Sequence, residues 1–226
     1  MNRLHAWCEF THHPEYPDIV FENMGMEKEM MKVRFIHHRR GKLMATIPML
    51  LDYAEDVRVG EAPDFYVVDT GSNDIQNYLQ HSHQAGQAPF HHKTDEEMGQ
   101  MLAHWLMCAV DKLRAAGAAT IFVAGALPRV ADGQYGAASF FFPRLTLADM
   151  ELCKGRSVAI TEAFNEHLRR LCRARDGTIF LPKEGMRQSW EDKLCFDGVH
   201  LTDEAMVTYF KKIRKQLIHF GRKMFN

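Results

Sequence analysis

The sequence lacks the features that define several common classes of protein. No apolar run approaches the ~20 residues needed to cross a bilayer, so a membrane span is not expected. The formal net charge of the 226 residues is −1, so the chain as a whole has no electrostatic bias toward nucleic acid or membranes. It contains neither a P-loop nor a GxGxxG loop, which disfavours a phosphate or nucleotide binder.

Cysteines are few, and their spacing forms no recognisable pair. Their number is odd and none forms a CxxC, so neither a disulfide framework nor a cysteine zinc site is expected. The first residues lack the apolar h-region of a signal peptide. We therefore expect the cytoplasm or another reducing intracellular compartment. The cysteines are Cys8, Cys108, Cys153, Cys172 and Cys195.

Four short apolar segments have the composition of strands buried in a parallel sheet. They alternate with segments of helical periodicity and show no internal repeat. This order predicts one α/β domain over residues 1–226 with a mainly parallel sheet. The predicted strands are residues 33–36, 65–68, 120–124 and 178–181.

Helical periodicity is clearest over residues 95–116, where Gly117 is expected to end the helix. Pro48, inside a predicted helix over residues 43–54, indicates a kink or a late start. We expect a long loop over residues 125–150 and loop positions for Ser82 and Ser157. The other predicted helices are residues 2–10, residues 161–175 and one that begins at Thr202.

A first candidate motif follows the strand predicted over residues 65–68. Asn73 could donate its side-chain amide to a developing oxyanion, and Gly71 would let a substrate approach the backbone. A turn that merely ends the strand is the alternative, and for the motif alone it is favoured. Ser72 lacks the GxSxG context of a strained nucleophile elbow.

A second candidate motif precedes the predicted C-terminal helix. Asp197 and His200 are the residue types that orient and act as the base in acyl transfer. An Asp-Gly turn beside a surface histidine is the alternative. Because ligand sites in parallel sheets lie at the carboxyl ends of the strands, we expect both motifs at one edge of the sheet.

In combination, the two motifs resemble those of the SGNH (GDSL-type) hydrolase superfamily, over nearly the whole chain. The resemblance implies an esterase or acyl-hydrolase with a three-layer α/β/α, flavodoxin-like fold. It makes Asn73 the oxyanion-hole amide, His200 the general base and Asp197 its orienting carboxylate. Gly41 would donate a backbone N–H to the oxyanion, although a plain helix-entry turn explains this glycine nearly as well.

The family's first motif, an apolar strand leading to Gly-Asp-Ser, has no counterpart here. The opening residues 1–7 look like the helix that follows that serine, and no other serine has a supporting context. We therefore expect a sheet without the family's first strand, an N-terminally truncated domain and little or no hydrolysis by the chain as given. The alternative is a non-catalytic binding module of the same fold.

The expected partner is a small-molecule ester or another acylated substrate, without a metal or cofactor. Histidines occur in doublets but without ligand spacing such as HExxH, so solvated loop residues are favoured. The basic C-terminal residues could contact nucleic acid, but a solvated helix face is the favoured interpretation. The histidines are His12, His13, His37, His38, His81, His83, His91 and His92, and the basic residues are Lys211, Lys212, Arg214, Lys215, Arg222 and Lys223.

Overall fold

The computed structural model describes residues 46–59, 65–85, 93–128 and 147–182, together with Ala205, Gln216 and His219. The chain divides into two units, one of Met1–Leu43 with Leu201–Asn226 and one of Met44–His200. In the first unit the three single residues are described, and each is helical. All the elements named below belong to the second unit.

Three parallel strands form the sheet of the described residues, and their order in the sheet is their order in the chain. β1 (Phe65–Val68) pairs with β2 (Thr120–Ala124), and β2 pairs with β3 (Thr178–Leu181). The register places Tyr66 beside Ile121. These bounds confirm three of the predicted strands, and the mixture of helices with a small parallel sheet is compatible with an α/β fold.

The described ranges hold four helices: α1 (Ile47–Asp56), α2 (Ser72–Ala85), α3 (Asp95–Ala115) and α4 (Leu147–Arg173). Parallel neighbours need a crossing from one end of the sheet to the other, and α3 and α4 make those crossings before β2 and β3. α3 packs extensively against α4 and also against α1. The fully buried core side chains include Leu106, Val110, Ile121, Val123, Phe164 and Leu168.

Local sequence signals fix both ends of α3. Thr94 and Glu97 form a capping box, in which the Glu97 N–H donates to Thr94 Oγ1 at 3.2 Å and the Thr94 N–H donates to Glu97 Oε2 at 2.8 Å. At the other end Gly117 adopts a φ of +110°, which glycine tolerates best. The helix predicted over residues 95–116 is confirmed to within one residue.

The start of α1 settles the question raised by Pro48. Thr46 is extended and the helix begins at Ile47, so Pro48 lies in the first turn, where its missing N–H would have had no helical partner. The late start is confirmed, because Thr46, which lies inside the predicted helix, is extended. Of the other predictions, the strand over residues 33–36 and the helix over residues 2–10 lie outside the described residues.

α4 begins much earlier than predicted, at Leu147 rather than at residue 161, so the loop predicted over residues 125–150 is wrong at its end. Gly155 interrupts the apolar periodicity of this stretch. Nevertheless Cys153 and Ser157 are buried with Ile160 on one face of the helix. Tertiary packing, rather than local propensity, therefore makes this half of the helix.

The loop positions expected for two serines are also wrong. Ser157 is buried in α4, and Ser82 lies in α2. The sequence predicts only a turn at the start of α2. The helical periodicity of this segment is weak, because it consists of buried Ile75 and Leu79 at helical spacing among polar residues.

Glycine at residue 99 lets α3 and α4 cross closely. A Cβ built there would lie 2.6 Å from the carbonyl oxygen of Ile160, 2.7 Å from Cβ of Ala163 and 2.7 Å from the backbone nitrogen of Phe164. Two of these three atoms belong to the backbone of α4 and cannot rotate away. Any side chain at residue 99 must therefore push the helices apart.

Arg156 of α4 ties three helices together. Its Nε donates to Asp95 Oδ1 of α3 at 2.9 Å, and its Nη2 donates to the Tyr78 hydroxyl of α2 at 3.3 Å. The guanidinium also lies 5.6 Å from the centre of the Tyr78 ring. One side chain thus offsets the weak apolar pattern of α2 with directional contacts.

We expect Gly99→Ala to lower the free energy of unfolding by about 2 kcal/mol, because the overpacked crossing outweighs the ~1 kcal/mol gain in helix propensity. Gly155→Ala is the matched control: residue 155 is exposed in α4, with no atom within 4 Å of its added Cβ. It should leave stability unchanged or raise it by up to about 1 kcal/mol. Urea titrations followed by circular dichroism measure both, and equal effects would contradict the close crossing.

Thiol reactivity tests the burial of the described cysteines. Cys108 is exposed, whereas Cys153 and Cys172 are buried. Burial raises the pKa of the Cys172 thiol to about 12, so this thiol stays protonated at neutral pH. In the native chain at pH 7.5 we expect iodoacetamide to modify Cys108 at least about tenfold faster than Cys172, as measured by peptide mass spectrometry. Equal rates would contradict the packing of α4.

Candidate functional site at the carboxyl ends of the strands

The described part of the site lies where β1 and β2 end. Residues 71–74 follow β1 and open α2, and residues 125–127 follow β2. We call these two segments the carboxyl rim. A parallel sheet places its ligand sites at this edge, where the helix N-termini present backbone N–H groups.

Of the four site residues predicted from the sequence, Asn73 is described, and it lies in the first turn of α2, half-buried at the carboxyl rim. Gly41, Asp197 and His200 lie outside the described residues. The first turn of a helix carries partial positive charge, which favours a developing anion nearby. The position of Asn73 therefore suits a donor to an oxyanion, although it does not by itself make one.

Gly71 allows the sharp entry into α2 for two reasons. Its φ of +112° lies in a region that other residues avoid, and a Cβ there would lie 2.6 Å from Cζ of the fully buried Phe164. Its carbonyl oxygen accepts the Ile75 N–H at 3.0 Å, which closes the first turn. The contact with α4 thus fixes where α2 begins, and with it the position of Asn73 in the first turn.

Asp74 connects the same turn to another helix. Both of its carboxylate oxygens accept the Ile47 N–H at 3.1 Å, at the N-terminus of α1. The Thr46 side chain, at the usual capping position, makes no cap hydrogen bond. Asp74 therefore caps α1 from outside, with a negative charge at the positive end of the helix.

Ser72 binds the second segment of the carboxyl rim. Its hydroxyl donates to the Leu127 carbonyl oxygen and accepts the Leu127 N–H, both at 3.3 Å. The two bonds are long, and together they join the end of β1 to the segment after β2. This engagement by a backbone segment gives Ser72 a structural role.

Asn165 of α4 contacts the carboxyl rim and was not predicted from the sequence. Its Oδ1 accepts the Ala126 N–H at 2.8 Å, and its Nδ2 donates to the Ala126 carbonyl oxygen at 2.9 Å. A Cβ at Gly125 would lie 2.9 Å from the same Oδ1. The sequence offers one signal for it, because Asn165 directly follows the apolar Phe164 on the buried side of a helix. A buried amide needs hydrogen-bond partners, so such an asparagine is a candidate for a specific contact.

The described residues contain no group of three or more histidine, cysteine or acidic side chains that could hold a metal ion. His81 and His83, expected in a loop, belong to α2 instead. The histidine doublets at residues 12–13, 37–38 and 91–92 lie outside the described residues, as do the basic residues 211–215 and 222–223.

An open groove lies far from the carboxyl rim, between the C-terminal ends of α1 and α3. Both helices lead from there into the starts of strands, so the groove belongs to the opposite edge of the sheet. The ion pair between Lys112 and Glu55 stands at its border. An open surface with one exposed ion pair offers no convergent polar groups for a ligand.

Comparisons with known protein families, curated proteins and solved structures find no match to the chain. Across the parts of the chain that the structure describes, no helix is long and apolar enough to span a membrane.

We expect Asp74→Ala to lower the free energy of unfolding by about 1 kcal/mol, because α1 loses the N-terminal cap that Asp74 supplies in place of Thr46. Asp52→Ala, which removes an exposed carboxylate from the middle of α1, is the control and should change stability by less than about 0.5 kcal/mol. Thermal unfolding of both variants measures the difference. If the two variants unfold alike, Asp74 does not act as the cap.

Proposed function

We propose that this chain is part of an SGNH-like esterase or acyl-hydrolase domain that cleaves ester bonds of a small acylated substrate. The observation that carries the proposal is the position of Asn73, in the first turn of a helix at the carboxyl end of a parallel strand. There its amide could meet an oxyanion at the usual ligand edge of the sheet.

Gly41, Asp197 and His200 enter the proposal through the resemblance of their motifs to those of the family. The structure contributes the surroundings of Asn73, whose neighbour Asp74 accepts the Ile47 N–H and so joins the first turn of α2 to the N-terminus of α1.

In the proposed reaction a serine hydroxyl attacks the ester carbonyl carbon while His200 takes its proton and Asp197 holds the imidazolium. The carbonyl oxygen becomes an oxyanion that accepts hydrogen bonds from Asn73 and Gly41. Collapse of this intermediate breaks the ester C–O bond, and His200 returns the proton to the departing alcohol. Water then hydrolyses the acyl-serine by the same steps.

None of the serines that the structure describes suits this reaction. Ser72 is bonded to Leu127, and Ser157 is buried in α4. Ser82 lies near the end of α2 that is remote from the carboxyl rim, and Ser139 and Ser189 lie outside the described residues. We therefore propose that the chain as given is inactive or nearly so, and that hydrolysis needs a serine nucleophile from outside the described residues.

A three-layer arrangement is part of the same proposal. Ile121 and Val123 of β2 face the core that α3 and α4 share, and the alternate residues Phe122 and Ala124 are equally buried. Because successive side chains of a strand point to opposite faces, the second face of β2 is covered as well. Such a doubly covered strand supports a flavodoxin-like α/β/α fold that lacks its first strand.

A non-catalytic binding module of the same fold is the second candidate. The structural roles of Ser72 and Asp74 favour this candidate. Both belong to the same motif as Asn73, and that motif could serve only to hold neighbouring segments together. Such a module would still bind an acylated small molecule at the carboxyl rim. Nucleic acid is the less favoured partner, since the basic C-terminal helix alone suggests it.

Hydrolysis of p-nitrophenyl acetate and butyrate tests the proposal. We expect no activity from the chain as given and clear activity from a form extended upstream through a Gly-x-Ser segment. In that form His200→Ala should abolish activity, and Asn73→Ala should lower kcat by about 10²–10³-fold, the usual cost of one oxyanion donor.

Asn77→Ala is the matched control for Asn73, since Asn77 lies one turn later in α2 and is also half-buried. It should leave kcat within about twofold of the parent. If the extended form is folded by circular dichroism and yet inactive, the binding module is the better account. Hydrolysis by the chain as given, lost on His200→Ala, would reveal a nucleophile among its own serines.

A further inference from the structure

Two polar side chains, one from each of two helices, hold residues 125–127. From α4, the Asn165 amide forms a cyclic pair of hydrogen bonds with the Ala126 N–H and carbonyl oxygen, at 2.8 and 2.9 Å. From α2, the Ser72 hydroxyl bonds both backbone groups of the next residue, Leu127. Four hydrogen bonds therefore fix a segment of three residues at the carboxyl rim.

The two sides of this clamp differ in strength. The bonds of Asn165 are short and buried, whereas those of Ser72 measure 3.3 Å and are only partly buried. Short buried bonds between neutral groups resist opening, because the freed peptide groups would find no water. Asn165 therefore sets the position of Ala126, and Ser72 follows the position of Leu127.

The clamp leads directly to the proposed oxyanion donor. Leu127 follows Ala126 in the chain, and Asn73 follows Ser72. Resting on the proposed function, we infer that Asn165 is a positioning residue, which places the amide of Asn73 by way of residues 126 and 127 and the hydroxyl of Ser72. It touches neither the substrate nor the reacting atoms.

The neighbour of Asn165 explains why an apolar contact is not sufficient. Phe164 packs against Gly71 and fixes the distance from α4 at which α2 begins. Packing does not fix the rotation of a helix about its own axis as strictly as directional hydrogen bonds do. The bonds through Ser72 supply that direction, and an amide donor to an oxyanion must be oriented as well as near.

Amide hydrogen exchange in the full chain tests the inference. Asn165→Leu removes both bonds at nearly constant volume, and Asn165→Asp keeps only the acceptor for the Ala126 N–H. Thr161→Val, a substitution of nearly equal shape, is the matched control. Thr161 lies one turn earlier in α4 and is also buried, and its hydroxyl has no hydrogen-bond partner among the described residues. NMR follows two reporters, the Ile75 N–H in the first turn of α2 and the Met98 N–H in the first turn of α3.

We expect Asn165→Leu to speed exchange at Ile75 by about tenfold, with a smaller effect for Asn165→Asp, while Met98 keeps its rate in both variants. Thr161→Val should leave both reporters within about twofold of the parent. Unchanged exchange at Ile75 in Asn165→Leu overturns the inference. Equal acceleration at both reporters also overturns it, because Asn165 would then support the whole fold rather than the first turn of α2.

Kinetics of the extended, serine-bearing form separate this inference from the proposed function. Asn165→Leu should lower kcat about tenfold while KM stays within about twofold, since a misplaced donor weakens the transition state more than substrate binding. Combined with Ser72→Ala it should cost little more than either change alone, because both act along one route. An inactive parent refutes the proposed function, whereas an active parent whose kcat survives Asn165→Leu refutes the positioning role.

Discussion

The position of α4 is the constraint on which the carboxyl rim depends. Two consecutive residues of this helix define it: Phe164 packs under Gly71, and Asn165 bonds the backbone of Ala126. One contact is apolar and close, and the other is polar and directional. The helix can approach so near because Gly99 lets α3 cross it without a side chain between them. A shift of α4 would therefore move the ends of β1 and β2 together.

Three of the strands could be predicted from the sequence with correct bounds, because each is a short apolar run between turn residues. The first half of α4 could not be predicted in this way. Gly155 and the polar residues around it break the helical periodicity, and the compensating contacts come from other helices, such as those of Arg156 with Asp95 and Tyr78. Such contacts join residues far apart in the chain, which a local pattern does not contain.

The candidate site also contains residues that could be predicted from the sequence and residues that could not. Asn73 could be proposed from residue type and from its place after a strand, because a backbone position at the carboxyl end of a parallel strand follows from topology alone. The helix that carries Asn73 could not be predicted, since most of its residues are polar. Asn165 was missed because an isolated asparagine within a helix has many explanations. Its role depends on a close approach to Gly125, a residue forty positions earlier in the chain.

The groups that fix the carboxyl rim are mostly neutral. The described ion pairs lie elsewhere, as between Arg175, just after α4, and Asp111 of α3, with bonds of 2.8 and 3.0 Å. Exposed ion pairs are screened by salt and contribute little to precise placement. Amide and hydroxyl groups keep their hydrogen bonds at any pH near neutrality, because they do not titrate there. Donors held in this way are oriented before a substrate arrives, and that prior order lets an oxyanion site lower a barrier without reorganising during the reaction. In the proposed enzyme the pH dependence of catalysis would then arise from His200, while Asn73 stayed in place.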